Sequence, residues 1–140
     1  MDNRISMITL GAKDLQAVSS FYEHVFGFRV ESRNDNITFF DLRGSWLGVY
    51  GLDALAEDIG IENNHKGFGG FTLAHNLESE EAVDALFKHL TENGATAIKT
   101  PQKVFWGGYS SYIADPEYNY WEIAYNPFGW IGPERDASAQ

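Results

Sequence analysis

A chain of 140 residues that is 44% hydrophobic and 15% aromatic has enough apolar side chain to close one core, which excludes intrinsic disorder as its main state. Twenty acidic residues against ten basic ones leave a net charge of −10, a field that repels nucleic acid and anionic lipid but accepts neutral or cationic small molecules. With no cysteine, disulfide scaffolds, thiolate metal sites and cysteine nucleophiles are excluded together.

In chain order, Ile5 to Gly11 is predicted as a strand. Ser6 and Thr9 make it too polar for a signal peptide, and no later run approaches the roughly 18 apolar residues of a membrane helix. A cytoplasmic protein is expected. Asp14 is placed to cap a helix whose apolar residues Leu15, Val18, Phe21, Tyr22, Val25 and Phe26 follow helical spacing up to Gly27. Strands are predicted at Phe28 to Arg33, Ile37 to Leu42 and Trp46 to Tyr50, with turns at Asn34-Asp35-Asn36 and Arg43-Gly44-Ser45. Residues 52–66 are acidic and read as a connector with one helical turn around Ala54 to Ile59.

Beyond the connector, Phe68 to Ala74 is predicted as a strand. A helix then starts at Ser79-Glu80-Glu81, buries Ala82, Val83, Leu86, Phe87 and Leu90, and closes at Asn93-Gly94. Ala95 to Lys99, Tyr109 to Ala114 and Tyr118 to Tyr125 complete the strands, with Asp115-Pro116 turning the last hairpin. The second half therefore repeats the element order of the first. Ala17-Val18, Tyr22, His24 and Val25 match Ala82-Val83, Phe87, His89 and Leu90 at an offset of 65, and Ile8-Thr9-Leu10 matches Phe71-Thr72-Leu73 at 63. Two βαβββ modules follow, at residues 1–51 and 67–127, with a connector at 52–66 and a C-terminal tail at 128–140. Each module is too small to hold a core alone, so the two form one compact domain or pair across a dimer.

The fold class implied is α+β, with two repeated modules forming curved mixed sheets around a cleft. Alternation along the last strand puts Trp121 and Ile123 against a helix and Glu122 on the other face, with Tyr120 and Ala124. The same parity puts Trp46, Gly48 and Tyr50 on the cleft side of the first module. Met7, Gly48, Gly70 and Glu122 then occupy four symmetry-related cleft positions. A carboxylate there needs a hydrogen-bond network, a ligand cation or a metal to compensate it.

Ile8-Thr9-Leu10-Gly11 through Asp14-Leu15, Phe21-Tyr22, Phe26-Gly27-Phe28 and Ala114-Asp115-Pro116 through Trp121-Glu122-Ile123 together resemble the vicinal oxygen chelate superfamily. That group holds glyoxalases, bleomycin resistance proteins and extradiol dioxygenases. Phe105-Trp106-Gly107-Gly108-Tyr109 and Ala124-Tyr125-Asn126-Pro127 resemble an uncharacterised branch of it. The resemblance spans residues 5–127 and implies a homodimer. Metal-dependent members carry His, Gln or Glu at the four cleft positions, and here only Glu122 remains. No bound cofactor is therefore expected, since a catalytic divalent ion generally needs three protein ligands.

Glu122 either accepts hydrogen bonds from hydroxyls such as Tyr120 or Thr72, or contacts a ligand as the candidate catalytic base. Trp46, Tyr50, Trp106, Tyr109, Tyr112 and Tyr120 are the candidate ligand-binding aromatics, with core packing as their competing role. Trp106 precedes the flexible pair Gly107-Gly108, which suits a loop over the cleft. His24 and His89 repeat as packing or surface residues, His65 is solvated, and His75 faces the helix. Three functions compete: a metal-independent small-molecule binder, an enzyme of lyase, isomerase or dioxygenase type, and a non-enzymatic dimeric interaction module. Phe128 and Trp130 in the tail are candidates to anchor a partner subunit.

Overall fold

A computed structural model describes residues 1–134. Two four-stranded sheets organise it. Sheet one has the order β1 (Met7–Ala12), β4 (Trp46–Gly51), β3 (Ile37–Asp41), β2 (Val30–Arg33), and sheet two the order β5 (Leu73–Leu77), β8 (Tyr120–Tyr125), β7 (Tyr109–Ala114), β6 (Thr96–Lys103). In each sheet the first strand of the module pairs parallel with its last strand, and the remaining pairs are antiparallel. The α+β architecture of two repeated modules is thus as the sequence implies.

Both main helices start where the capping residues place them. Asp14 Oδ1 accepts from Ala17 N at 3.0 Å ahead of α1 (Leu15–Ser20), and Ser79 Oγ accepts from Ala82 N at 3.0 Å ahead of α3 (Glu80–Glu92). The first helix does not stay regular to Phe26. After Ser20 it widens into a π-type turn over Phe21–Val25, in which Phe26 N donates to Phe21 O. Phe21 and Tyr22, adjacent in sequence and about 100° apart on a regular helix, are both buried.

Several boundaries differ from expectation, β6 for one running on to Lys103 rather than ending at Lys99. The strand predicted from Phe68 begins only at Leu73, because Gly67 and Gly70 sit at φ of 64° and 83°, outside the extended region. The last strand begins at Tyr120 rather than Tyr118, whose φ is 61°. The connector forms a full helix, α2 (Leu52–Ile59), ended by Gly60 at φ 86° with its N–H on Ala56 O. α2 packs on β1 at Gly11, where a Cβ would stand 2.5 Å from Leu52 Cδ1.

Register also corrects the repeat. Thr9 pairs with Gly48 and Ala74 with Glu122, so Ile8 corresponds to Leu73 and the strand offset is 65, the same as the helix offset. Gly70 lies ahead of β5, and Thr72 takes the place equivalent to Met7.

One core serves both modules. The Tyr22 ring lies 6.2 Å from Phe40 on β3 and 5.9 Å from Trp121 on β8, and Phe28 lies 6.2 Å from Trp121 and 6.3 Å from Phe40. Phe40 shares its face with Thr38, which hydrogen-bonds Ser19 of α1, and Trp121 shares its face with Ile123 against Leu86 and Leu90 of α3. The helix-bearing faces of the two sheets therefore meet on the Tyr22 cluster. Their outer faces point apart within the chain. Phe26, Phe28, Leu86, Leu90, Trp121 and Ile123, with exposed His75 at the rim, line a half-open pocket of about 80 Å³ at the border of this core.

Candidate functional site

Alternation along β7 and β8 brings Glu122, Tyr120, Tyr112 and Ser110 onto the outer face of sheet two. Glu122 is half-buried. Its Oε2 accepts from Ser110 Oγ at 2.7 Å and from the Tyr112 hydroxyl at 3.3 Å. The serine bond is the strong one, since 3.3 Å is long for an O–H donor. Burial, then the charge of Glu122 and the bond to it, push the Tyr112 phenol above its ordinary value. Tyr112 therefore stays protonated and donating at neutral pH. Tyr120 meets Phe68 edge-on at 5.9 Å on the same side.

Trp46 and Tyr50 lie on the outer face of sheet one, with Phe39 at 5.9 Å from Trp46. Glu122 and this aromatic group are thus on opposite sides of the chain. Thr9 and Met7 fill the space over Gly48, the repeat partner of Glu122: a Cβ there would lie 3.3 Å from Thr9 Oγ1 and 3.5 Å from Met7 Sδ. α2 walls one end of this face through Leu52 and Leu55 at Gly11.

Tyr109 is not with Glu122. Its place on β7 turns it to the helix side, where its hydroxyl donates to Asp84 Oδ1 at 2.6 Å, and that bond pushes its pKa up to about 12. Trp106 folds back over Gly108, where a Cβ would stand 1.9 Å from the indole, so the glycine pair seats the ring on its own hairpin. Thr72 makes no bond to Glu122; Ser110 supplies the hydroxyl instead. Sequence reasoning missed Ser110, although it shares parity with Tyr112 two residues on. His75 stands exposed at the rim of the pocket it lines with Trp121 and Ile123, and partial burial on that side pulls its imidazole below the usual value.

In the tail, Phe128 packs against the position a Gly107 Cβ would take, and the Trp130 indole donates to Pro133 O at 2.9 Å. The rest of the predicted tail, 135–140, lies outside the described residues. Among the described residues, no helix is long and apolar enough to cross a membrane.

A family model described as Glyoxalase/Bleomycin resistance protein/Dioxygenase superfamily matches residues 4–123. The chain belongs to this superfamily. Among solved structures, a glyoxalase-related enzyme from Fulvimarina pelagi is 35% identical, with a TM-score of 0.84 and 93% of each chain covered. A glyoxalase/bleomycin resistance protein/dioxygenase family enzyme from Burkholderia phytofirmans PsJN is 28% identical, with a TM-score of 0.78 over 87% of this chain and 98% of that one. A lactoylglutathione lyase from Agrobacterium tumefaciens, 21% identical at a TM-score of 0.74, covers 94% of this chain and 100% of its own. It shares the fold.

The metal used by many members of the glyoxalase superfamily finds a poor donor set in this chain. The positions equivalent by register offer the Glu122 carboxylate, the Met7 thioether, the Thr72 hydroxyl and Gly48 without a side chain. Among the described residues, no three His, Cys, Asp or Glu side chains gather as ligands. Such a set does not fit a catalytic divalent ion.

Proposed function

We propose that this glyoxalase-superfamily protein is a cytoplasmic homodimer that binds a small cationic or aromatic molecule, with no resident metal and no nucleic-acid or membrane partner. The observation that carries the reading is the arrangement at Glu122. Both internal donors converge on Oε2, which leaves Oε1 to accept from a ligand N–H. Exposed aromatic side chains on the outer faces supply apolar contact and cation–aromatic attraction, and the net charge of −10 favours cations further.

The test is a thermal-shift screen with berberine and ethidium as cationic aromatic probes, beside neutral aromatics. A probe at about 100 times its dissociation constant adds roughly 2.7 kcal/mol of stability. Glu122→Gln is expected to weaken a cationic probe about tenfold to a hundredfold, the range of a lost charged hydrogen bond at about 1.5–3 kcal/mol, and to spare neutral probes. No shift with any probe overturns the reading and leaves the interaction module. Equal binding by Glu122→Gln removes the role of the carboxylate.

An enzymatic reading is favoured by one feature, the protonated Tyr112 beside Glu122. Glu122 would remove a proton next to a carbonyl while the Tyr112 hydroxyl donates to the oxyanion formed. On any substrate found, Glu122→Gln should abolish turnover with the fold intact by circular dichroism. An unchanged rate removes this mechanism.

A further inference from the structure

We infer that the pocket behind His75 is a second ligand site, separate from the Glu122 face, and that it takes a short branched-chain carboxylate. The aliphatic tail enters the pocket and the carboxylate lies between the His75 imidazole and the Arg43 guanidinium. Trp121 and Ile123 face the pocket from the side of β8 opposite to Glu122, and Phe26 and Phe28 reach it from the first module. Its volume of about 80 Å³ is roughly two to three times the ~30 Å³ share of one water, and about half of the ~150 Å³ that admits benzene. An isopropyl or isobutyl group fits such a space, and a six-membered ring does not. Water is held poorly there, because it needs about two to four polar partners. The Trp121 indole already donates to Tyr22, which leaves His75 as the one lining group among the described residues to hold it.

The duplicated modules supply an internal control. By the offset of 65, Leu10 stands where His75 does and Phe21 where Leu86 does. Both first-module residues are buried in the common core, at 3% and 5% exposure, whereas His75 is exposed at the rim. The second module thus has an imidazole in place of an apolar plug and a smaller side chain in place of a large ring, and the space left open is the pocket. A histidine without a hydrogen-bond partner adds nothing to core packing, and among the described residues the His75 imidazole has none.

The rim selects the head group. His75 also lines the groove of about 660 Å³ that runs beside β5 to Trp130–Pro133, and Arg43 lines the same groove from the turn between β3 and β4. Arg43 is exposed, and among the described residues its guanidinium pairs with no carboxylate. Glu78 borders the groove too but already has a partner. An imidazole N–H and a free guanidinium are both donors, and the group that two such donors hold together is an oxyanion. A neutral imidazole offers one N–H, which suits the single charge of a carboxylate rather than a phosphate dianion.

The test is an NMR titration of the ¹⁵N-labelled protein with 3-methylbutanoate, beside 3-methylbutan-1-ol and acetate. The branched acid is expected to saturate at millimolar concentration, shifting the Trp121 indole N–H and the His75 ring signals and leaving the Trp46 indole unmoved. The alcohol lacks the charge and acetate lacks the tail, so each is expected to bind about tenfold more weakly or worse. Leu86→Phe, which copies the first module, is expected to fill the pocket and abolish saturation. Arg43→Ala, a surface change that carries the test should Leu86→Phe fail to fold, is expected to weaken the acid about tenfold and spare the alcohol. Saturation that survives Leu86→Phe, or shifts centred on Trp46, overturns the pocket. Equal binding of acid and alcohol, or acid binding unchanged by Arg43→Ala, overturns the anionic head group. No saturation by any of the three probes overturns the site.

Discussion

The hydroxyl of Tyr22 donates to Asp115 Oδ2 at 2.5 Å and accepts from the Trp121 indole at 3.0 Å, so one first-module residue completes the hydrogen bonding of two second-module residues. Asp115 is 1% exposed and also accepts from Glu117 N, Asn119 N and Asn119 Nδ2. Tyr22→Phe keeps the ring packing but leaves a buried carboxylate oxygen and an indole N–H each short of a partner. The expected loss is about 1–3 kcal/mol in chemical denaturation, and a loss near zero would mean that water replaces the hydroxyl. His75 makes a second prediction at this scale. Its repeat partner by register is Leu10, and although His75 is exposed overall, partial burial of its ring holds the imidazole below the usual value. A group with a depressed pKa stabilises the fold above its unfolded value of about 6.5, and that contribution is lost as pH falls through the folded value. Melting temperatures measured below about pH 6.5 should therefore drop for the parent chain more than for His75→Leu. Parallel curves would show that His75 is not the titrating group.

At the scale of elements, capping and glycine geometry decide where structure starts and stops. Asp14 and Ser79 cap their helices as the residue types demand, and both are legible in the sequence. The start of β5 is less legible, since Phe68 to Ala74 alternates like a strand while Gly67 and Gly70 adopt positive φ. α2 is another case, because an acidic connector hides a helix whose apolar side is needed only once β1 lies beneath it. Gly11→Leu should drive this helix off β1, where even a Cβ meets Leu52 at 2.5 Å. A destabilisation of about 1–3 kcal/mol is expected from overpacking, and an unchanged midpoint would mean α2 shifts freely. The bond from Tyr109 to Asp84 ties β7 to α3. Its phenol is raised to about 12, so the stability it brings is complete below the ordinary tyrosine value near 10 and is lost between there and about 12. Asp84→Asn should return the Tyr109 absorbance titration toward 10.

For the molecule as a whole, stacking two modules on one aromatic cluster fixes which surfaces remain available. Small modules close no core separately, and Tyr22, Phe26, Phe28 and Trp121 bury one another only when both are folded. Trp121→Ala removes the ring that both modules share. It should cost about 3–5 kcal/mol and lower the melting of both modules in one transition. Separate transitions would show that each half holds a core of its own.

The sequence by itself determined the duplicated order of strands and helices, the helix caps, and the side of β8 on which Glu122 lies. These follow from periodicity and residue type, which are local. Tertiary structure alone decided that Tyr109 serves α3, that Ser110 holds Glu122, and that the aromatic face of sheet one points away from the carboxylate face of sheet two. Alternation separates the two faces of a strand, but it cannot say which faces of two sheets will meet. That choice is made by the helix-side aromatics, whose mutual burial is non-local and outweighs any pairing of the half-polar outer faces.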